Sequence, residues 1–94
     1  MASSGQPAAG AVFALDAVTT IGRELGSSVV VEDPYASAQH AVLTFRGRAW
    51  YVEDLHSTNG THVNGAPVAG VTVLAYGDEI RIGDVRLRLE RGRG

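Results

Sequence analysis

The sequence predicts an all-β fold, a two-sheet antiparallel β-sandwich, from three observations. Apolar residues recur with a period of two rather than 3.6, most plainly in "VRLRLE" at 85–90. Turn-forming pairs such as Asn64-Gly65 separate the short apolar segments. No stretch has the apolar spacing of an amphipathic helix. We therefore expect about ten short strands packed as a sandwich, with functional loops at one end.

The expected strands are rich in β-branched and aromatic residues, which fit a pleated surface. In chain order they are 11–15, 17–22, 28–32, 40–46, 49–55, 61–63, 66–68, 79–83 and 85–90. Asn64-Gly65 lies between two of them, "THV" and "APV". It predicts a two-residue type I′ hairpin, because both central residues of that turn need a positive φ.

The length of 94 residues fits one small domain, and 45% apolar residues are enough to bury a core. We expect the domain to span 11–90, between a disordered N-terminal tail at 1–10 and a C-terminal tail at 91–94. The opening "MASSGQPAAG" lacks the basic and apolar regions of a signal peptide. A cytoplasmic location is therefore expected.

Composition argues against several classes of function. There is no cysteine, so no disulfide or thiolate metal site can form. The scattered His40, His56 and His62 make a poor zinc signature, and we expect neither metal nor cofactor. A net charge of −2 argues against nucleic-acid binding, and no apolar run is long enough to insert into a membrane.

An enzymatic function is also not expected. Asp54, His56 and Ser57 contain the three side-chain types of a catalytic triad. Triad partners are brought together by the fold rather than by adjacency in sequence, and we expect neighbours on one short stretch to point in different directions.

Three loops carry unusual chemistry, at 21–26, 33–40 and 56–65. Together they offer one arginine, several hydroxyls, two asparagine amides and glycines whose N–H groups a ligand can approach closely. A set rich in donors and poor in acceptors suits a dianion such as a phosphate ester.

Four short segments resemble the signature of forkhead-associated (FHA) domains, which are phosphothreonine-binding β-sandwiches. They are "IGR" (21–23), "SAQH" (37–40), "DLHSTNGTHVNG" (54–65) and "GDEIRIG" (77–83). Each segment alone is a weak signal, but all four occur in the family's order within a matching all-β pattern. The resemblance covers roughly residues 10–90. It is strongest to the FHA modules that accompany actinobacterial Ser/Thr kinases.

The resemblance implies a role for each of four binding residues. Arg23 is the main phosphate ligand, through a charge-assisted pair. Ser37 and Thr58 donate hydroxyls to the phosphate group. Asn59 holds the ligand's main chain just after the phosphothreonine. Taken singly, Arg23 would be a surface charge and Ser37 a turn hydroxyl, so only the joint pattern assigns them to a site.

Five further residues have implied supporting roles. His40 braces the binding loops from beneath, and Gly22 and Gly60 shape the backbone. Ala38 departs from the family, which often has Asn or Arg there as an extra phosphate contact. Tyr35 stands near the place where some members carry an arginine that selects aspartate downstream of the phosphothreonine, so an apolar downstream residue is expected here.

Two functions remain open on the sequence. The favoured one is a phosphothreonine-dependent binding module in kinase signalling, with a Thr-phosphorylated partner such as a Ser/Thr kinase or a kinase substrate. The alternative is a phospho-independent scaffold that docks partners through a sheet face or edge. The presence of all four binding residues favours the first.

The last strand is expected to have an exposed edge. In FHA domains an extra strand precedes the one expected at 11–15, and it pairs with the last strand. Here "MASSGQPAAG" disfavours a strand, because Gly and Pro are poor in sheets. The edge of 85–90 would then recruit a second copy edge to edge, or leave the chain less stable than a longer form.

Overall fold

Nine strands in two sheets make up the fold of residues 13–91, the part of the chain that the computed structural model describes. The strands are β1 Val18–Gly22, β2 Val29–Val30, β3 Ala41–Arg46, β4 Ala49–Asp54, β5 Thr61–Val63, β6 Ala66–Pro67, β7 Thr72–Leu74, β8 Glu79–Ile82 and β9 Val85–Arg88. The described residues form no helix, so none could cross a membrane as one. The expected N-terminal tail at 1–10 lies outside the described residues, and so do residues 92–94 of the expected C-terminal tail at 91–94.

The first sheet has five strands in the order β2-β1-β3-β4-β7. Its centre is antiparallel, with Leu43 of β3 opposite both Thr19 of β1 and Val52 of β4. The short β2 pairs with β1 in parallel, at Ile21 opposite Val29. This pair departs from the all-antiparallel expectation, because the chain turns back through 23–28 before it rejoins the edge of β1.

The second sheet has four antiparallel strands in the order β6-β5-β8-β9. The turn between β5 and β6 has positive φ at Asn64 (51°) and Gly65 (85°), as a type I′ hairpin requires. The expected hairpin is therefore correct. A second such turn joins β3 to β4 at Gly47 and Arg48, with φ of 57° and 65°.

The core lies between the two sheets. Buried residues alternate with more exposed ones along most of the strands, and the buried ones form the core. Ile21 and Val52 of the first sheet and Ile80 and Ile82 of the second are the largest aliphatic side chains of the strands that are fully buried. The sandwich fold and its class were correctly predicted.

Several strands are shorter than expected, and two differences concern whole strands. Residues 13–15 lie outside any strand, although Phe13 and Leu15 pack against the core, and 11–12 lie outside the described residues. The sequence assigned no strand to β7, which pairs with β4 through Val73 opposite Tyr51. Strand β9 lies at one edge of its sheet among the described residues, and its self-association stays a prediction.

Candidate functional site

Loop 1 (residues 23–28) and loop 2 (31–40) are joined along their backbones. The Arg23 N–H donates to the Ser37 carbonyl at 2.9 Å, and the Glu24 N–H to the Ala38 carbonyl at 3.1 Å. The His40 N–H donates to the carbonyl of Ile21 at 2.9 Å. These bonds lie just beyond the last pair of the ladder between β1 and β3, so backbone hydrogen bonds place Arg23 beside Ser37.

Gly22 lies where loop 1 crosses loop 2, and the backbones approach too closely for a side chain. A Cβ at this position would lie 2.1 Å from the carbonyl oxygen of Ala38 and 3.1 Å from the nitrogen of His40. Such contacts are well inside van der Waals distance, so only glycine fits. The glycine brings the two loops together rather than supplying an unusual φ.

His40 is fully buried and connects loop 2 to loop 3 (residues 55–60). Its Nδ1 accepts a hydrogen bond from the Ser37 N–H at 3.0 Å. Because Nδ1 is an acceptor, Nε2 carries the proton, and it donates to the Gly60 carbonyl at 2.8 Å. The neutral imidazole thus spans the space beneath the site, with one nitrogen toward each loop.

Above His40, the two loops meet again through side chains. The Thr58 N–H donates to the Ser37 Oγ at 3.1 Å, and the Asn59 Nδ2 donates to the Tyr35 carbonyl at 2.8 Å. Three of the four expected binding residues, Ser37, Thr58 and Asn59, are therefore held side by side.

Several donors at this surface have no acceptor among residues 13–91. The Ser37 Oγ accepts from Thr58, but its own proton is donated to no described group. The Thr58 hydroxyl and the Arg23 guanidinium make no hydrogen bond or ion pair there either. Arg23 and Thr58 are solvent-exposed, and Ser37 is half-buried. The nearest carboxylate in sequence, Glu24, accepts from Gln39 Nε2 at 3.4 Å.

Loop 3 is organised by a carboxylate that the sequence did not identify for this role. The Asp54 carboxylate accepts from the Ser57 N–H at 3.0 Å, from the Ser57 hydroxyl, and from the Thr61 hydroxyl at 2.8 Å. The Ser57 Oγ in turn accepts from the Gly60 N–H at 2.9 Å. Burial raises the pKa of Asp54, but the hydrogen bonds from Ser57 and Thr61 outweigh it, so the pKa is lowered.

The contact between Asp54 and Ser57 corrects one expectation, that these neighbours point in different directions. They meet because the chain turns back within three residues, so that the Ser57 N–H and hydroxyl both donate to the Asp54 carboxylate. His56 takes a positive φ of 57° and makes no hydrogen bond to either residue within 13–91. The arrangement is a loop cap and lacks the relay of a triad.

The Asp54 cap predicts a specific pH dependence of stability. Because the pKa of Asp54 is lowered in the folded state, its ionised carboxylate stabilises the fold. This stabilisation is complete above the ordinary aspartate pKa of 3.8 and is lost as the pH falls through the folded-state pKa. We expect Asp54→Asn to be less stable than the unmodified chain at pH 7, and this difference to shrink below pH 3.8. Urea unfolding of both proteins across that range measures it.

The comparison isolates Asp54 because Asp78, which titrates in the same range, is present in both proteins. The pKa of Asp78 is lowered by the backbone hydrogen bond from Ala75 and the side-chain bond from Asn64. A stability difference that stayed constant with pH would show that the Asp54 carboxylate is not the group that organises loop 3.

A cleft of about 270 Å³ adjoins the site where Tyr35 meets Asn59. Beyond them its lining passes Gly60 and His62 and reaches Arg81 and the turn between β8 and β9. Within residues 13–91, no three His, Asp or Glu side chains are grouped so that they could hold a metal ion. The site therefore consists of a donor-rich surface and an adjoining polar cleft.

A family model matches most of the sequence that forms these sheets and loops. Residues 19–83, which run from β1 to the turn after β8 and include all three loops, match the model of the FHA domain. The chain belongs to the FHA domain family. FHA domains are binding modules, and the site described above lies on the loops at one end of an FHA sandwich.

Curated relatives of this FHA domain include mycobacterial proteins. FhaB from Mycobacterium tuberculosis is 46% identical over 69 residues, which cover 73% of this chain and 44% of FhaB. The glycogen accumulation regulator GarA from the same species is 43% identical over 82 residues, 86% of this chain and 50% of GarA. The chain thus spans about half the length of the curated relatives it matches.

Solved structures agree with the fold. One comes from a structural and functional analysis of phosphothreonine-dependent FHA domain interactions. It superposes with a TM-score of 0.77 and 32% identity, and the match covers 85% of this chain and 82% of that one. The two chains therefore share the same fold.

Proposed function

We propose that this FHA domain binds proteins whose threonine is phosphorylated, as a cytoplasmic recognition module in Ser/Thr kinase signalling. The observation that carries the proposal is the group of unsatisfied donors at Arg23, Ser37 and Thr58. A phosphate ester at neutral pH carries nearly two negative charges and three strong acceptor oxygens. It is the ligand whose chemistry this group matches.

Each residue has a part in the proposed complex. The Arg23 guanidinium pairs with the phosphate. The Ser37 Oγ accepts from the Thr58 N–H, so its own proton is available for donation to the phosphate. The Thr58 hydroxyl donates to the same group. Asn59 keeps its side-chain carbonyl oxygen for the ligand's main chain while its Nδ2 is held by the Tyr35 carbonyl.

The supporting residues act through the loops. His40 donates a hydrogen bond to the Gly60 carbonyl, which holds loop 3 in place relative to loop 2. Gly22 permits the close approach of loop 1 to loop 2. Ala38 is exposed and its side chain has no polar group, so that side chain adds no phosphate contact. The pocket therefore relies on Arg23 for its charge.

The test uses one peptide in two forms, identical except for phosphate on its threonine. Isothermal titration calorimetry should detect binding of the phosphorylated form only. Equal binding of both forms would overturn the proposal. It would favour the phospho-independent scaffold, for which the exposed Val18 (59%) and Val73 (61%) on the outer face of the five-stranded sheet are the supporting observation.

A second measurement tests the preference for threonine. The methyl group of phosphothreonine is proposed to enter a small apolar space between loops 2 and 3. Burying one such group is worth about 0.8 kcal/mol, or roughly a fourfold difference in Kd. We therefore expect a phosphothreonine peptide to bind about fourfold more tightly than its phosphoserine counterpart. Equal affinity of the two would show that no methyl pocket exists.

Tyr35 is proposed to favour an apolar side chain shortly after the phosphothreonine. Its side chain is 56% exposed at the mouth of the cleft, and its backbone is fixed by the Asn59 amide and by its own N–H to the Asp33 carboxylate. A held aromatic ring offers a flat apolar surface. A peptide library tests this assignment. Enrichment of Asp or Glu at the peptide position that contacts the Tyr35 ring would refute it.

A further inference from the structure

The cleft beside the phosphate site leads away from loops 2 and 3 onto the outer face of the four-stranded sheet. Asn59 lies at its entrance, and His62 of β5 and Arg81 of β8 line it further on. A ligand chain held by Asn59 therefore passes over this sheet face next. This inference rests on the proposed function, in which Asn59 holds the chain that follows the phosphothreonine.

The sheet face along the cleft carries a row of basic side chains. His62 lies directly opposite Arg81, and Arg81 lies directly opposite Arg86 of β9. Directly opposed residues on neighbouring strands have side chains about 4.5–5.5 Å apart at Cβ, and like charges in that position destabilise each other. The Arg81–Arg86 pair is thus an unfavourable arrangement that an anion would relieve.

No carboxylate of the described part of the chain neutralises this row. The ion pair within residues 13–91 joins Arg88 to Glu90 at 4.0 Å, outside the row. The acids nearest to Arg81 in the sequence are Glu79, two residues before it on β8, and Asp84 in the turn after β8, which also lines the cleft. Neither forms an ion pair with Arg81. Asp84 repels anions at the far end, so the attractive part of the cleft lies between Asn59 and Arg81.

We propose that Arg81, assisted by His62, binds an acidic side chain of the ligand downstream of the phosphothreonine. The ligand is then a phosphorylated segment with an apolar residue against Tyr35 and a carboxylate further along. The Arg81 guanidinium presents paired donors that match a carboxylate. The His62 imidazole adds a donor from the neighbouring strand.

The test compares phosphothreonine peptides by calorimetry. The reference peptide has alanine at every position after the phosphothreonine, and each variant peptide has glutamate at one of those positions. Because Arg81 is exposed, we expect glutamate at one position to tighten binding by about two- to fivefold. The gain should shrink as salt is raised, since exposed charges are screened.

Protein variants assign the gain to a residue. Arg81→Gln should abolish the glutamate gain and leave the affinity for the alanine peptide unchanged. The matched control is Arg48→Gln, which removes the same charge from the turn between β3 and β4 at the opposite end of the sandwich, and it should keep the gain. Asp84→Asn should enlarge the gain, because it removes the opposing carboxylate.

The outcomes separate this proposal from the one it rests on. If the phosphorylated alanine peptide does not bind, the proposed function fails, and this inference fails with it. If that peptide binds but glutamate tightens binding at no position, only this inference is overturned. The same holds if Arg48→Gln reduces the glutamate gain as much as Arg81→Gln does, because the effect would then be one of net charge.

Discussion

Replacing Arg23 with alanine should weaken binding of a phosphothreonine peptide by about tenfold to a hundredfold or more. Charge-assisted hydrogen bonds contribute roughly 1.5–3 kcal/mol each, and 1.4 kcal/mol is a factor of ten in Kd. The guanidinium makes no hydrogen bond or ion pair with the rest of residues 13–91, and only the backbone of Arg23 holds loop 2. The melting temperature should therefore be unchanged.

Calorimetry and thermal melts on Arg23→Ala measure both quantities, with Arg48→Ala as the control for loss of a positive charge. Ser37→Ala should cost less binding, because it removes a neutral donor, although it also leaves the Thr58 N–H without its acceptor. Unchanged affinity in a folded Arg23→Ala protein would show that the phosphate is bound elsewhere.

Local chemistry explains why much of the fold could be predicted from the sequence. The Asn64-Gly65 turn has a backbone conformation that few other residue pairs tolerate, so the hairpin was visible directly. The alternation in 85–90 likewise predicts β9, in which Val85 is buried and Arg86 and Arg88 are exposed. Leu89, just after the strand, is buried as well. Both signals depend only on neighbours in sequence.

The features that the sequence did not reveal depend on partners distant in the chain. Strand β7 is three residues long, and it exists as a strand because β4 offers it an edge. The parallel pairing of β2 with β1 follows from the course of loop 1. Residues 13–15 looked like a strand, yet Phe13 and Leu15 bury their side chains without a ladder. Tertiary contacts overrode local propensity in each case.

The candidate site shows the same division. A resemblance to a family supplied the binding residues as hypotheses, because hydroxyls, an amide and one arginine have no spacing rule of their own. It did not supply the hydrogen bonds that hold them. Asp54 was noticed only as a rejected catalytic group, and its role in closing loop 3 depends on the positions of Ser57 and Thr61 after folding. Arg81 and Arg86 are separated in the sequence by the turn after β8, and only the strand register places them side by side.

The hydrogen bonds between the loops form a closed circuit. Thr58 is bonded to Ser37, Ser37 to His40, and His40 to Gly60, which returns to Thr58 along two peptide bonds. The circuit ties Ser37 and Thr58 to His40, which does not touch the ligand in the proposed complex. Preorganised groups of this kind lose little conformational entropy on binding. Arg23 is positioned separately, by the close contact of loop 1 with loop 2.

Gly22→Ala should be the most destabilising single-methyl change in the loops. The added Cβ would lie 2.1 Å from the Ala38 carbonyl oxygen, which is backbone and cannot rotate away. Relief requires loop 1 to separate from loop 2, which would break the bonds from the Arg23 and Glu24 N–H groups. Overpacking of this kind costs about 1–3 kcal/mol or more. Phosphopeptide affinity should fall as well, since Arg23 would no longer lie beside Ser37.

Gly26→Ala is the matched control, because it adds the same methyl group four residues later, in loop 1. Nothing lies within 4 Å of a Cβ at Gly26, and its φ is not in the left-handed region. Alanine there should be neutral or stabilise the chain by about 0.4–1 kcal/mol, because it restricts the unfolded state. Urea unfolding and phosphopeptide titration of the two variants make the comparison. If both variants matched the unmodified chain in stability and affinity, the contact of loop 1 with loop 2 would not be what holds the phosphate site in place.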